Sequence, residues 1–416
     1  MEKYNSYNVN LSIDTINSFL KSKVNFTYYC KEEKINSLRF FIYKDLNIKS
    51  IKSNNIADYR VKEKIAKWSP FIKESKEINI YFSKPLLKGE KVDIKFNYSG
   101  QIKKVNNSAI NRISEKWIEL GIYSPWFPLI ESIDKACFKV NISFKKDDYF
   151  VVGSNITKPT ENGWLIDQKI PFIDCSFLAS KYFNYNQFKN KVKEVNVQVF
   201  YINTSHNKIA KEFNDISHNV LNSFVSKFGD IKKQSFSIVI LPRENGGGYN
   251  RPGLIVLPNL SKENSTNHFK YLSAKIKNFK YLAHEMAHLW WSKADMTTYE
   301  DWLNESFAEY SCLISIRDYY GKERFEEIIA KYKENSKDLP PILNLNREDE
   351  KAFDTLYVKG PILLYELEKE IGERMFNNLL CEIHMNEINN TEEFLNKLLE
   401  LTNKETMKKF KSKLKS

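Results

Sequence analysis

The sequence is poor in cysteine, and the few it has are far apart. Cys30, Cys137, Cys175, Cys312 and Cys381 are odd in number, and no Cys-x-x-Cys pair occurs. That excludes a disulfide framework and a zinc knuckle, and it predicts reduced thiols in a cytoplasmic protein. No run of 18 apolar residues exists, so no membrane-spanning helix is expected. The opening Met1-Glu-Lys-Tyr-Asn-Ser6 has no apolar segment of the kind that secretory signals carry. The charge of one sign is also less lopsided than it looks. A net charge of +12 could suggest a nucleic-acid partner, but the lysines are spread along the chain and interleaved with acids. This reads as a solvated surface, and no nucleic-acid partner is expected. The one dense cluster, Lys404 to Ser416, has six lysines and a single Glu405. It reads as an amphipathic terminal helix with Met407, Phe410 and Leu414 on its apolar side.

What is present is ample apolar material, 42% hydrophobic and 14% aromatic over 416 residues. A chain of that length is too long for one ordinary core and predicts at least two domains. The first half alternates: Val9, Leu11 and Ile13; Val92, Ile94, Phe96 and Tyr98; Phe138, Val140, Ile142 and Phe144; Val195, Val197, Val199 and Tyr201. Period two of this kind means half-buried sheets. The aromatic stretch Tyr123-Ser-Pro-Trp-Phe-Pro128 reads as a packed loop. Near Thr204-Ser205 the character changes. Ile209, Phe213, Ile216, Val220 and Phe224 recur at helical spacing, two short apolar runs (Phe236 to Leu241, Leu254 to Leu257) flank a glycine-rich stretch, and from about Tyr271 the pattern is helical. We therefore expect an all-β domain over residues 1–204 and a second domain over 205–416.

Histidine is scarce, with six in the chain, yet two of them stand in His284-Glu-Met-Ala-His288. Four residues apart on a helix, they share one face and can take two corners of a tetrahedral zinc site. Glu285 lies beside them, placed to act as a general base. A catalytic zinc needs a third protein ligand. Glu305, in Trp302-Leu-Asn-Glu-Ser-Phe-Ala-Glu309, is the candidate. Glu309 follows it by one helical turn and could orient His284, or it could simply be solvated.

These two motifs, followed by Tyr357-Val-Lys-Gly360, resemble the aminopeptidase N family of zinc metallopeptidases. The resemblance implies an α+β architecture: a saddle-like all-β amino-terminal domain, then a thermolysin-like catalytic domain with a small sheet and a helical lobe. It implies one zinc per chain on His284, His288 and Glu305, with a peptide as substrate. It also implies that Tyr357 donates its hydroxyl to the oxyanion, and that an edge strand containing Gly247, Gly248, Tyr249 and Asn250 pairs with the substrate. As a structural alternative, the glycine run could be no more than a hairpin turn.

Two departures from the family stand out. Leu289 to Asn304, 16 residues, separate His288 from Glu305, two fewer than the family usually has. The expected consequence is a trimmed loop near Ser292 to Glu300, with Glu305 rather than Glu300 or Glu309 at the metal. Asn250 stands where the family has the glutamate that binds a free amino terminus. Arg251 would repel an ammonium if it faced the cleft, and Glu244 could substitute only if its loop folded back. We expect a zinc metallopeptidase that hydrolyses peptide bonds, aminopeptidase-like in the leading reading. The alternatives are action on internal or blocked peptides at the same site, because the glutamate that binds the amino terminus is replaced, and a catalytically silent interaction scaffold.

Overall fold

A computed structural model describes residues 3–63, 74–103, 110–145, 148–189, 194–231, 235–243, 247–260 and 272–416. The first half is built of sheets, as the alternation requires. Seven strands form the largest, in the order 156–160, 163–172, 136–144, 5–14, 19–29, 91–101, 46–52. Neighbours are antiparallel except for 5–14 with 136–144, where Val9 sits beside Val140 and Leu11 beside Ile142. Val9, Leu11, Ile13, Ile94, Phe96, Val140 and Ile142 are all buried on one face. Phe144, at the end of its strand, is only half-buried. Among the described residues of this half, two four-stranded sheets accompany it. Trp126 and Phe127, in the aromatic loop, pack into their common core. The loop is pinned where Tyr7 and Tyr98 donate to the carbonyls of Pro128 and Trp126 at 2.9 and 2.8 Å.

The second half is organised on a five-stranded sheet in the order 184–189, 196–201, 235–240, 254–257, 249–251. The three inner strands run parallel, joined at their first crossover by helix α1 (Asn207–Phe228). The two edge strands are antiparallel. The last, Tyr249–Arg251, turns back from 254–257 through Pro252 and Gly253, whose φ of +78° suits glycine. Strands 184–189 and 196–201 precede the boundary expected at 204/205, yet their hydrogen bonds go to this sheet. Val195, Val197 and Val199 accordingly pack against α1 and not against the amino-terminal core.

Beyond the sheet the chain is helical: α2 (Ala274–Ala287), α3 (Trp302–Tyr320), α4 (Lys322–Asn335), a single turn α5 (Ala352–Asp354), a π turn at Thr355–Lys359, then α6 (Gly360–Ile371), α7 (Glu373–Met385), α8 (Thr391–Leu401) and α9 (Lys404–Leu414). Gly321 and Gly372 end helices with φ near +91° and +82°, as helix-stop signals should. The breaks at 386–390 and 402–403 carry no glycine or proline. Asn390 and Asn403 mark them instead, capping the next helix with their side chains. Helix α9 buries Phe410 and Leu414 and turns its lysines outward. Among the described residues, no helix is long and apolar enough to cross a membrane.

The two halves meet along the edge strand 249–251. Arg243 and Glu119 form a fully buried ion pair at 3.2 Å. Arg243 Nη2 also donates to the Gly247 carbonyl at 3.1 Å, and Tyr249 donates its hydroxyl to Glu119 at 3.2 Å. Burial pushes the Glu119 carboxyl up to about 7 against the pull of Arg243. A second clamp joins Arg251 Nε to Asp174 at 2.6 Å, while Arg251 Nη1 donates to the Asn250 carbonyl at 2.7 Å. Glu119 and Asp174 belong to the amino-terminal half. They fix the strand that borders the cleft.

Candidate metal centre and cleft

Helix α2 places Lys277, Tyr281, His284 and His288 along one stripe, at spacings of four, three and four. The stripe faces the first two turns of α3, which carry Glu305 and Glu309. One nitrogen from each histidine and one oxygen from Glu305 lie within 4.8 Å of one another. His284 Nε2 and His288 Nε2 stand 3.3 and 3.6 Å from Glu305 Oε2.

The other ring nitrogens are already taken. His284 Nδ1 is 2.9 Å from Glu309, and His288 Nδ1 is 2.8 Å from the carbonyl of Trp291. Each ring is thereby oriented with Nε2 toward the shared point. Glu305 Oε2 is buried and makes no well-formed hydrogen bond. Burial works against a protonated His284, yet the Glu305 and Glu309 carboxylates hold its pKa up at about 10. The cluster therefore calls for positive charge. Two imidazole nitrogens and a carboxylate oxygen are also the donor set that suits zinc. The residues fit the metal.

The short connection to Glu305 has its own device. Asn304 accepts from the Ala294 backbone N–H and donates to the Ala294 carbonyl, both at 3.1 Å, and donates again to Asp301 at 2.9 Å. It staples the trimmed loop to the start of α3. Glu300 is turned away, accepting from Thr391 at 2.7 Å, and Glu309 reaches only the far side of His284. Of the three carboxylates considered, Glu305 alone faces both Nε2 atoms.

Glu309 is itself held. Lys280 Nζ approaches it at 2.5 Å, and Tyr332 donates its hydroxyl. Burial alone would raise the Glu309 carboxyl, but Lys280 and His284 bring it down to about 2. The sequence suggested Glu309. It gave no hint of Lys280 as its partner, although Lys280 lies one turn before His284 on the same helix.

Tyr357 sits in the π turn, a local geometry frequent at functional sites. Its ring lies 5.3 Å from that of His284, stacked at 19°, and 4.0 Å from Phe353. Its hydroxyl lies beside the Glu305 carboxylate. Burial and the Glu305 charge push the phenol well above its ordinary pKa, so it is a donor throughout the neutral range.

The rest of the Tyr-Val-Lys-Gly motif is structural. Lys359 donates to the carbonyls of Leu339 and Pro340 at 2.8 and 3.1 Å. A Cβ on Gly360 would lie 1.9 Å from Ser306 Oγ, the group that donates to the Leu356 carbonyl at 2.7 Å. Only glycine lets α6 approach α3 this closely.

The cleft has two compartments, and Glu285, His284 and His288 lie between them. One, of about 290 Å³, is bordered by Tyr123, Asn250, Arg251, His288, Glu305 and Tyr357. The other, of about 110 Å³, is bordered by Gly247, Lys277, Tyr281, His284 and Phe353. Gly248, Glu285, Phe353 and Tyr357 border both. Burial raises the Glu285 carboxyl to about 7, and its Oε2 has no hydrogen-bond partner among the described residues.

The glycine run contributes unequally. A Cβ on Gly248 would lie 2.6 Å from Glu285 Oε1, whereas one on Gly247 would meet nothing within 4 Å. Tyr249 turns its ring into the interface with the amino-terminal half. Asn250 donates to the Glu285 carbonyl at 3.0 Å. Arg251 does border the cleft, with its charge paired to Asp174. Glu244 lies outside the described residues. Tyr123, read from the sequence only as part of a packed loop, borders the cleft beside Tyr249, ring centroids 5.9 Å apart.

A helix-borne His-Glu-x-x-His with a glutamate from the next helix, set between a small sheet and a helical lobe, defines a zinc-dependent metallopeptidase of the gluzincin type. Comparison with known proteins agrees. Residues 218–413 match the peptidase family M1 domain. The M1 zinc metallopeptidase of Deinococcus radiodurans superposes with a TM-score of 0.71 at 15% identity, over 99% of this chain and 93% of that one. A mutant of that enzyme bound to a Tyr-Ser-Ala substrate gives 0.73 at 15% identity, over 99% and 94%. Native LTA4 hydrolase of yeast gives 0.72 at 16% identity, over 98% of this chain and 66% of that one. No curated protein matches the chain in sequence. The likenesses to solved structures fix the fold: sheet-rich first, helical after.

Proposed function

We propose that the chain is a peptidase with one zinc on His284, His288 and Glu305, that it takes an extended peptide along strand 249–251, and that it has little need of a free amino terminus. When bound there, zinc would supply Lewis acidity, lowering the pKa of a water and polarising the scissile carbonyl. Glu285 takes the proton of the attacking water at its unpartnered Oε2 and returns it to the leaving amine. Tyr357 donates its hydroxyl to the carbonyl oxygen as negative charge develops there. Glu309, braced by Lys280 and Tyr332, keeps His284 in one tautomer.

The observation that carries the specificity reading is at Asn250. Its amide is spent on the Glu285 carbonyl and has no charge to offer an ammonium, while the next side chain, Arg251, borders the same compartment with its charge committed to Asp174. A peptide series with free and acetylated amino ends should therefore be cleaved at rates within about threefold of each other, since no charge-assisted contact to the amine is lost. Asn250→Glu should create a preference for the free amine. A strong preference in the parent would favour the second reading, an aminopeptidase, which the Deinococcus enzyme with its bound Tyr-Ser-Ala suggests.

Gly248→Ala tests the position of the base. The added methyl must displace the Glu285 carboxylate, because the strand behind Gly248 is fixed by its pairing with 254–257. Turnover should fall about tenfold with zinc retained, as for a base moved by a fraction of an ångström. Gly247→Ala, with open space around it, is the matched control, and equal rates in the two variants would sink the claim.

We also place the start of the catalytic domain at strand 184–189 and not at 205, on the hydrogen bonding of the five-stranded sheet. The five separate thiols support a reducing, cytoplasmic setting.

A further inference from the structure

The smaller compartment has a charge to spare. Lys277, Lys280, Glu285 and Glu309 are its ionisable borders besides His284 and the two tyrosines. Lys280 is committed to Glu309 at 2.5 Å. Glu285 lies against Gly248 and forms no ion pair with Lys277. Among the described residues, no carboxylate forms an ion pair with Lys277. It is half-buried, one turn before Tyr281 and two turns before His284 on the face of α2 that borders the cleft.

The compartment is small. At about 110 Å³ it falls well below the roughly 300–1,000 Å³ of pockets for drug-sized ligands, a size for one side chain. Tyr281 and Phe353 give it apolar walls, which lower the local dielectric and strengthen any charge pairing at Lys277.

Strand direction says which side chain enters. A peptide that adds antiparallel to the free edge of 249–251, as 254–257 does on the other edge, runs its amino end toward Arg251 and its carboxyl end toward Gly247. Glu285 borders both compartments, so the bond to be cut lies between them. The compartment at Gly247 and Lys277 receives the residue that follows that bond.

We propose that Lys277 selects a carboxylate on the residue immediately after the cut bond, so that the favoured substrates are peptides acidic at that position or ending there with a free carboxyl group. This rests on the peptidase reading above and adds a substrate class to it. The apolar walls alone would accept any medium-sized side chain, and Lys277 makes the choice one of charge.

Two arms separate the sources of the carboxylate. In the first, the zinc enzyme is given carboxy-amidated tetrapeptides that differ only in Glu or Gln after the cut bond. In the second, it is given a tripeptide ending at that position as free acid or as amide. In at least one arm kcat/KM should favour the anion by about tenfold, the size of one charge-assisted contact. The arm that shows the preference identifies the source. The ratio should fall to about one in Lys277→Met and invert in Lys277→Glu.

The same ratio should appear without turnover, in calorimetric affinities of Glu285→Gln for the paired peptides. Equal handling of anion and neutral partner in both arms, or a preference untouched by Lys277→Glu, overturns the proposal. If no peptide is cleaved while the calorimetric preference persists and answers to Lys277, the peptidase reading fails and the carboxylate site stands.

Discussion

Glu285→Gln is expected to keep the metal and to lose turnover by about a thousandfold or more, the upper part of what a positioned general base contributes. The reasoning is geometric. Glu285 is not among the three groups whose ligand atoms converge, so removing its charge leaves the donor set intact. Its Oε2 is buried and unpartnered, so glutamine fits the space and loses only the ability to take a proton. His284→Ala is the contrasting case. It removes a nitrogen from the cluster and leaves Glu309 buried with Lys280 and Tyr332 but without its imidazole. Zinc and activity should disappear together, and added zinc should not restore them. Metal analysis alongside kcat separates the two variants. A Glu285→Gln protein with near-parental turnover would show that the base is another group.

The sequence made the metal cluster legible because its logic is local. Two histidines four apart share a helix face whatever surrounds them, and Glu305 with Glu309 repeat the same spacing on the next helix. The trimmed loop was legible as a count of residues, but Asn304, which holds it to Ala294 and Asp301, was not. An asparagine beside a ligand has no period to betray it. The clamps on the edge strand were least legible of all. Glu119 with Arg243 and Asp174 with Arg251 are separated by many strands in the chain, and a buried ion pair leaves no pattern in either segment alone.

The expected boundary at 204/205 followed a change of period, from two to 3.6. The chain changes period after strand 196–201, yet that strand already pairs with 235–240. Periodicity reports which face of an element is buried and not which sheet it joins. The glycine at position 360 has a similar answer. Nothing local requires glycine there, since its φ is helical, at −56°. The reason is Ser306, on a helix that passes too close for a Cβ.

Tyr357→Phe should lower kcat by roughly two to three orders of magnitude while zinc content stays at one per chain, the loss expected for one donor to a developing oxyanion. Phenylalanine keeps the ring, and with it the stacking on His284 and Phe353 that packs the π turn. Only the hydroxyl goes. That hydroxyl sits against Glu305, and its phenol is held protonated by burial and by the Glu305 charge, so the parent has a donor at every pH near neutrality. KM should change little if the contact strengthens mainly as charge builds on the carbonyl oxygen. A change confined to KM would instead make Tyr357 a substrate-positioning group. A melting temperature several degrees lower with kcat unchanged would make it part of the core, with the π turn serving only to fit α6 against α3.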